Sequence, residues 1–367
     1  MKMVEIRTAL VGIGNCASAL VQGRFYYQDK KADIPGLITK NFGGYFVSDI
    51  NFVAAFDVDE RKVGLDLSKA IFSLPNCTII FQKDIPDLNC NVNMGYVIDS
   101  ISEHAKLYNE DVRFKPRKNV YSSEDEARKA IVDILRKTEA DVLVNYLPVG
   151  SEKNTLFYAD CALEAKVAFV NAIPVFVSKL YGDKFKEAGL PVIGDDIKSQ
   201  VGATIVHRVL TKLFEDRGEP VKRTYQINVG GNTDFLNMLS KERLESKRIS
   251  KTQAVTSQMS DHQIPGDDVY IGPSDYIPWL NDRKICFLRI EAEQFGGVPM
   301  DLELRLSVED SPNSAGVIMD AIRAAKVALD RKLSGPIIEA SAYLAKSPVK
   351  QFDDAQAKKM LLEFAEV

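Results

Sequence analysis

A short apolar run, Ile6 to Val11, passes directly into Gly12-Ile13-Gly14-Asn15-Cys16-Ala17, and a helical stretch follows to about Phe25. A buried strand that feeds a helix through a glycine turn sends the chain across a sheet face and back, which favours a parallel sheet covered on both sides. The turn matches G-x-G-x-x-G/A in the context that gives that pattern weight, strand before and helix after. In that setting Gly12 makes the tight turn, Gly14 lets the backbone approach a pyrophosphate, and Ala17 permits close packing of helix on strand. Asn15 and Cys16 open the helix, whose first N–H groups suit an anion. A dinucleotide is the ligand this implies.

The partner mark is an acidic residue at the end of the next strand. Asn51 to Asp57 reads as that strand, and Asp57 as the residue that accepts from the adenosine ribose hydroxyls and repels a 2′-phosphate. NAD is therefore expected over NADP, the alternative being that Asp57 is only a turn residue. The spacing exceeds the usual ~20 residues because 26–49 form an insertion.

Residues 72–120 are rich in Pro and Asn and read as a loop excursion. Regular units then resume: a helix capped by Ser123 to about Lys137, a strand from Asp141 to Asn145, a helix capped by Ser151 to Ala165, and a strand from Val167 to Asn171. Loops after parallel strands are where a nucleotide lies, so Asn145, Ser151, Asn171 and Pro174 are candidate cofactor neighbours. Pro191 to Ile193 leads into Gly194-Asp195-Asp196-Ile197-Lys198-Ser199, a cluster suited to binding an anion or steering a cation, and a long helix continues to Arg217.

The character of the chain then changes. Val221, Arg223, Tyr225, Ile227 and Val229 alternate with Lys222, Thr224, Gln226 and Asn228, a period of two. Gly230-Gly231 ends the strand, and Asn232-Thr233-Asp234 can start a helix. Lys241, Arg243, Lys247, Arg248 and Lys251 follow. Lys247 and Lys251, four apart, share a helix face. They either bracket an anion or belong to a solvated basic helix relieved by Glu242 and Glu245. A polar loop is expected to run from there to Pro273. Lys284 to Glu291 and Met300 to Val308 read as strands, the second with Met300, Leu302, Leu304, Leu306 and Val308 on one face, as in an antiparallel sheet. Asp310-Ser311-Pro312 then starts a helix to Arg331, with Ser311 capping and Asp310 at its positive end.

Composition narrows the function classes. The net charge of −4 argues against a nucleic-acid binder. No apolar run reaches the ~20 residues that span a bilayer, and the N-terminus has no signal-peptide core. Five scattered cysteines without a C-x-x-C pair give no disulfide framework and no zinc knuckle, which fits a reducing cytoplasm. Of three histidines, His207 lies in an apolar helical pattern and reads as a packed side chain.

In order along the chain, V-G-I-G-N-C-A-S-A-L-V-Q-G, G-D-D-I-K-S-Q-V-G-A-T, G-G-N-T-D-F-L-N-M, E-S-K-R-I-S-K-T, D-S-P-N-S-A-G and S-A-Y-L-A-K-S-P resemble the myo-inositol-1-phosphate synthases, more closely the shorter bacterial and archaeal type. The resemblance covers nearly the whole chain. It implies an α/β fold: a Rossmann-type doubly wound parallel sheet over 1–198, completed by 310–367, with an inserted central α+β domain over 199–309. It implies a homotetramer that binds NAD and cyclises glucose 6-phosphate to inositol phosphate. It implies that Lys247, Lys251, Lys284 and Lys346 face substrate oxygens, that Asp196, Asp234 and Asp310 position lysines or the nicotinamide, and that Ser199 and Lys251 contact the phosphate. Some relatives use a divalent or monovalent cation, to which Asp234 and Asp310 could give oxygens. The eukaryotic-like K-S-G-Q-T is here K-S-Q-V-G. A plain NAD-dependent sugar-phosphate dehydrogenase and a non-catalytic NAD-binding sensor are the competing readings.

Overall fold

The structure, a computed structural model, describes residues 5–28, 34–98, 106–239, 252–257 and 264–366. The strands are β1 (Ile6–Val11), β2 (Ile50–Asp57), β3 (Val92–Met94), β4 (Val142–Asn145), β5 (Ala168–Asn171), β6 (Pro191–Ile193), β7 (Val221–Gly230), β8 (Val269–Tyr276), β9 (Arg283–Gln294), β10 (Val298–Glu309) and β11 (Gly335–Pro336). Among the described residues they form two sheets. One has the order β11-β6-β5-β4-β1-β2-β3, the other β10-β9-β7-β8.

Every pairing in the larger sheet is parallel. Its strands are buried on both faces, as a sheet with helices on either side requires. On one face Ile6, Leu10, Val142, Val144, Ala168 and Val170 share a core with helix α1 (Asn15–Tyr26). On the other, Ala9, Val11, Leu143 and Phe169 pack with α3 (Glu124–Lys137) and α4 (Glu152–Ala165), which follow the short α2 (Leu67–Ala70). After α5 (Val177–Leu180), α6 (Gly182–Glu187), α7 (Ala203–Asp216) and α8 (Thr233–Asn237), the chain returns to the first face as α9 (Asp310–Asp330), α10 (Ile338–Leu344) and α11 (Asp354–Ala365). Winding reverses between β1 and β4, and a crevice outside the carboxyl ends of the strands follows from that reversal.

The 26–49 insertion is held from beneath. Arg323, fully buried on α9, donates to Thr39 O at 2.9 Å and Lys40 O at 3.0 Å and pairs with Asp320. Asp320 accepts the Ile38 N–H at 3.0 Å.

Several expectations are corrected. The period of two in β7 holds, but Thr224, Gln226 and Asn228 are buried while Tyr225, Ile227 and Val229 are half-buried. A register shift between Val221 and Arg223 turns the strand over. Inward, His207 Nε2 lies 2.7 Å from Thr224 Oγ1, and Asn228 Nδ2 donates to Gly272 O at 2.9 Å. The stretch expected as loop to Pro273 contains a helical run at 252–256 and β8, which pairs parallel with β7, so the second sheet is mixed. α9 begins at Asp310, two residues early, with Glu309 at its N-cap; Ser311 donates to a neighbouring carboxylate instead of capping. At α4, Ser151 holds the cap position through its carbonyl, which accepts the Thr155 N–H. In contrast, Ser123 caps α3 and Asn232 caps α8 as expected.

Candidate active site

The glycine turn leaves β1 at the crevice. Gly12 has φ 84°, and an added Cβ there would lie 2.6 Å from Tyr146 O, so a side chain is excluded on both counts. At Gly14 an added Cβ would meet nothing within 4 Å. That space is open to a ligand, and Gly14 lines the cavity together with Gly12, Asn15, Cys16 and Ala17. A bare backbone, an open approach and the start of a twelve-residue helix fit a dinucleotide pyrophosphate. Asn15 Oδ1 accepts from Cys77 N at 2.7 Å and Thr78 N at 3.1 Å, tying the 72–120 excursion to this turn. Burial pushes the Cys16 thiol up to about 12, with Asp282 and Asp310 adding to it, so it stays neutral.

Asp57 also lines the cavity. Its Oδ2 accepts the Ile13 N–H at 2.6 Å, and its Oδ1 accepts from Val58 N at 2.7 Å and Asp59 N at 2.8 Å. The carboxylate is thus fixed in direction. Ser151 and Pro174 line the cavity, but Asn145 and Asn171, expected beside the cofactor, do not. Both are fully buried. Asn145 Nδ2 donates to Asn171 Oδ1 at 2.9 Å, and Asn171 Nδ2 to Val175 O at 2.6 Å and Asp195 Oδ1 at 2.8 Å. They set the shape of the loops after β4 and β5 from behind.

The Asp195–Ser199 cluster splits. Asp196 and Ser199 face the cavity; Asp195 and Lys198 are buried away from it. Burial pushes Asp195 up to about 7, opposed by hydrogen bonds from Asn171 and Ser178. Burial pulls Lys198 down to about 7, with the Arg208 guanidinium reinforcing it and Asp354 opposing. Lys198 donates to Ala342 O at 3.1 Å and lies 3.6 Å from Asp354, which Arg208 also holds at 3.0 Å. Arg208 reaches Ala254 O at 2.5 Å as well, so one buried node joins α7, the 252–257 segment and α11.

Among the described residues two lysines, Lys284 and Lys346, enter the cavity, each held by a carboxylate. Lys346 Nζ is 2.7 Å from Asp196 Oδ1, and Lys284 Nζ is 3.1 Å from Asp310 Oδ1. Lys346 follows α10 where Ala345 bridges Ile197, and its own N–H donates to Asp196 O at 2.7 Å. Lys284 is the second residue of β9, and Asp310 opens α9. Asp234, in the first turn of α8, lines the same cavity. The structure thus brings together Asp196, Ser199, Asp234, Lys284, Asp310 and Lys346, from five separated stretches of sequence. Lys247 and Lys251 lie outside the described residues. Among the described residues no cluster of three metal-ligating side chains occurs.

Two supporting residues escape sequence reasoning. Asp282 is fully buried and accepts from Asn232 Nδ2 and Ser311 Oγ, both at 3.0 Å. It joins the helix starts that carry Asp234 and Asp310, and burial pushes it up to about 6, Asp310 reinforcing. The signal available was its place two residues before Lys284, in the turn that leads into β9. Lys62, buried under the glycine turn, gave no signal because its partners, the Ile13 carbonyl and Asn76, lie beyond the reach of any local pattern.

Comparison with known proteins agrees with this geometry. The family model described as Myo-inositol-1-phosphate synthase matches residues 202–311. The chain is 54% identical over 369 residues to a protein of Mycolicibacterium smegmatis named inositol-3-phosphate synthase, covering 99% of this chain and 98% of that one. It is 50% identical over 372 residues to the Corynebacterium glutamicum protein of the same name, covering 99% of both. The crystal structure of Ari2 superposes with a TM-score of 0.78 at 34% identity, covering 99% of this chain and 100% of that one. Full-length likeness at this level, on a fold whose switch-point cavity gathers a glycine cradle and two carboxylate-held lysines, places the chain in the myo-inositol-1-phosphate synthase family.

Proposed function

We infer that this chain performs the inositol-3-phosphate synthase reaction, the isomerisation of D-glucose 6-phosphate to 1L-myo-inositol 1-phosphate with no net redox change. The observation that carries the reading is that a cradle fitted to a dinucleotide and the pairs Lys284–Asp310 and Lys346–Asp196 open on one cavity. When bound, NAD supplies the reversible hydride acceptor for C5 of the sugar. Gly12, Gly14, Asn15, Cys16 and Ala17 hold its pyrophosphate, Asp57 its adenosine ribose, and Ser151, Pro174 and Asp196 line its nicotinamide half.

The chain's own residues manage charge on the substrate. Ring closure joins C6 to C1 through an enolised ketone, so negative charge grows on carbonyl oxygens. Preorganised cations aimed at such oxygens lower the barrier by about 3 kcal/mol each. Lys284 and Lys346 suit this work, since each Nζ can hold a proton toward an oxygen while its carboxylate fixes its direction. Lys247 adds a third such group, and Ser199 and Lys251 hold the phosphate. Asp234 and Asp310, which both line the cavity, would give oxygens to a divalent or monovalent cation.

The second sheet supports assembly as a homotetramer. Its edge strand β10 leaves Met300, Leu302, Leu304 and Leu306 half-buried, and Tyr270 and Phe287 are exposed on the sheet. Apolar surface left uncovered on both faces of one sheet suits contact with further copies of the chain. No described helix is long and apolar enough to cross a membrane, and the reading is of a cytoplasmic enzyme.

The test is to incubate purified protein with glucose 6-phosphate and trace NAD. Inositol phosphate without net NADH is expected. Accumulating NADH would instead indicate a simple dehydrogenase, and no product at all a sensor.

A further inference from the structure

Beneath the glycine turn lies a lysine that the reaction leaves unused. Lys62 follows β2 and is fully buried. Its Nζ donates to Ile13 O at 2.7 Å and to Asn76 Oδ1 at 2.8 Å. Asn76 Nδ2 donates to the same Ile13 carbonyl at 3.1 Å and to Ile71 O at 3.0 Å. From the other side Asp57 Oδ2 takes the Ile13 N–H at 2.6 Å. Both polar groups of Ile13, the middle residue of Gly12-Ile13-Gly14, are therefore gripped by side chains from beyond the turn.

The grip decides where the next peptide points. A trans peptide sets its C=O and N–H in opposite directions. With Ile13 O drawn down onto Lys62 and Asn76, the Gly14 N–H is turned the other way. On that side Gly14 lines the cavity, and the approach is open to 4 Å around an added Cβ. The turn thus offers an aimed donor with a buried positive charge directly behind it, at the head of α1. A buried ammonium is costly to keep unless it is compensated. Here its hydrogen bonds go to two neutral oxygens, and the Asp57 and Asp59 carboxylates act at longer range; burial pulls its pKa down against their pull upward. A bound pyrophosphate would add two negative charges above the same turn.

We propose that Lys62, with Asn76, is a cofactor-positioning residue: it fixes the Ile13–Gly14 peptide so that the Gly14 N–H meets the dinucleotide pyrophosphate, and it places a buried positive charge behind that pyrophosphate. The proposal rests on the reading of NAD as cofactor. Lys62 touches neither the sugar nor the reacting atoms, so its effect is confined to nucleotide affinity.

The experiment compares the full-length wild type with Lys62→Met, Lys62→Gln and Asn76→Ala by calorimetric titration with NAD and with ADP-ribose, alongside thermal unfolding and steady-state kinetics. Lys62→Met is expected to raise the Kd of both ligands about tenfold, the scale of one lost charge-assisted hydrogen bond. Lys62→Gln, which keeps a donor and drops the charge, falls between it and wild type. Asn76→Ala raises both Kd values about threefold. The KM for NAD rises in step, while kcat and the KM for glucose 6-phosphate at saturating NAD stay within about twofold, a split that general loosening of the fold would not give. A folded Lys62→Met protein with wild-type Kd for NAD overturns the proposal. If that variant does not fold, unchanged NAD affinity in Asn76→Ala overturns it. A wild-type protein that binds no NAD overturns the cofactor reading instead.

Discussion

Lys346→Met is the most informative single change at the site. Asp196 is held on three counts: its N–H donates to Ile173 O at 3.1 Å, its carbonyl accepts the Lys346 N–H, and its backbone sits at φ 58°. Its side chain is 4% exposed and that of Lys346 14%. The carboxylate cannot swing out to water when the ammonium is removed, so it stays buried without its ion-pair partner. Breaking such a pair costs about 3 kcal/mol of stability. Separately, losing a donor aimed at a developing oxyanion costs about 10²-fold or more in kcat. The two effects are separable by adding Asp196→Asn. The double variant has no carboxylate parted from its ion-pair partner and is expected to recover most of the stability in urea unfolding, but none of the inositol phosphate turnover. Turnover that returns with stability would refute the argument, because the lysine would then matter only as a counter-ion. So would a Lys346→Met enzyme within a few-fold of wild-type kcat.

Other outcomes follow from the same geometry. Burial lowers His207 to about 4 from 6.5, so the unfolded chain binds more protons between those values. Its contribution is fully present above pH 6.5 and is lost as pH falls toward 4, about 3 kcal/mol in all; His207→Gln is expected to flatten urea stability between pH 6.5 and 4, and an unchanged slope counts against it. NAD is expected to bind at least about tenfold tighter than NADP, and Asp57→Asn, which weakens the repulsion of a 2′-phosphate, to narrow that ratio; equal affinities in the wild type would sink the role given to Asp57. Lys251→Ala is expected mainly to raise the KM for glucose 6-phosphate, because a phosphate is charged throughout the reaction, and Lys247→Ala to lower kcat about 10²-fold or more. Near-normal turnover in Lys247→Ala returns that stretch to ordinary surface.

What the sequence made legible follows from the range over which each signal acts. The first strand, its glycine turn and α1 were readable because one continuous stretch holds the apolar run, the turn chemistry and the helix, and the observed β1 begins and ends where the pattern does. Ser123 and Asn232 were readable as caps because a cap bond spans two or three residues. Ser311 misled because its hydroxyl had a better acceptor in Asp282, 29 residues away and buried, which no local rule anticipates. In β7 the period was legible and the buried face was not. Inward burial of Thr224, Gln226 and Asn228 is sustained by polar partners from His207, from the β8 and β9 backbones and from one another. The site divides the same way. Asp196, Ser199, Asp234, Lys284, Asp310 and Lys346 could be named from motifs, but their convergence depends on chain returns as long as the 150 residues between Asp196 and Lys346. Lys62 and Asp282 stayed hidden because their work is done from behind, on the backbone of the turn and on the starts of two helices. Residues that hold a site rather than line it have no chemistry of their own to advertise, and their role becomes visible only when the partners of each buried charge are traced.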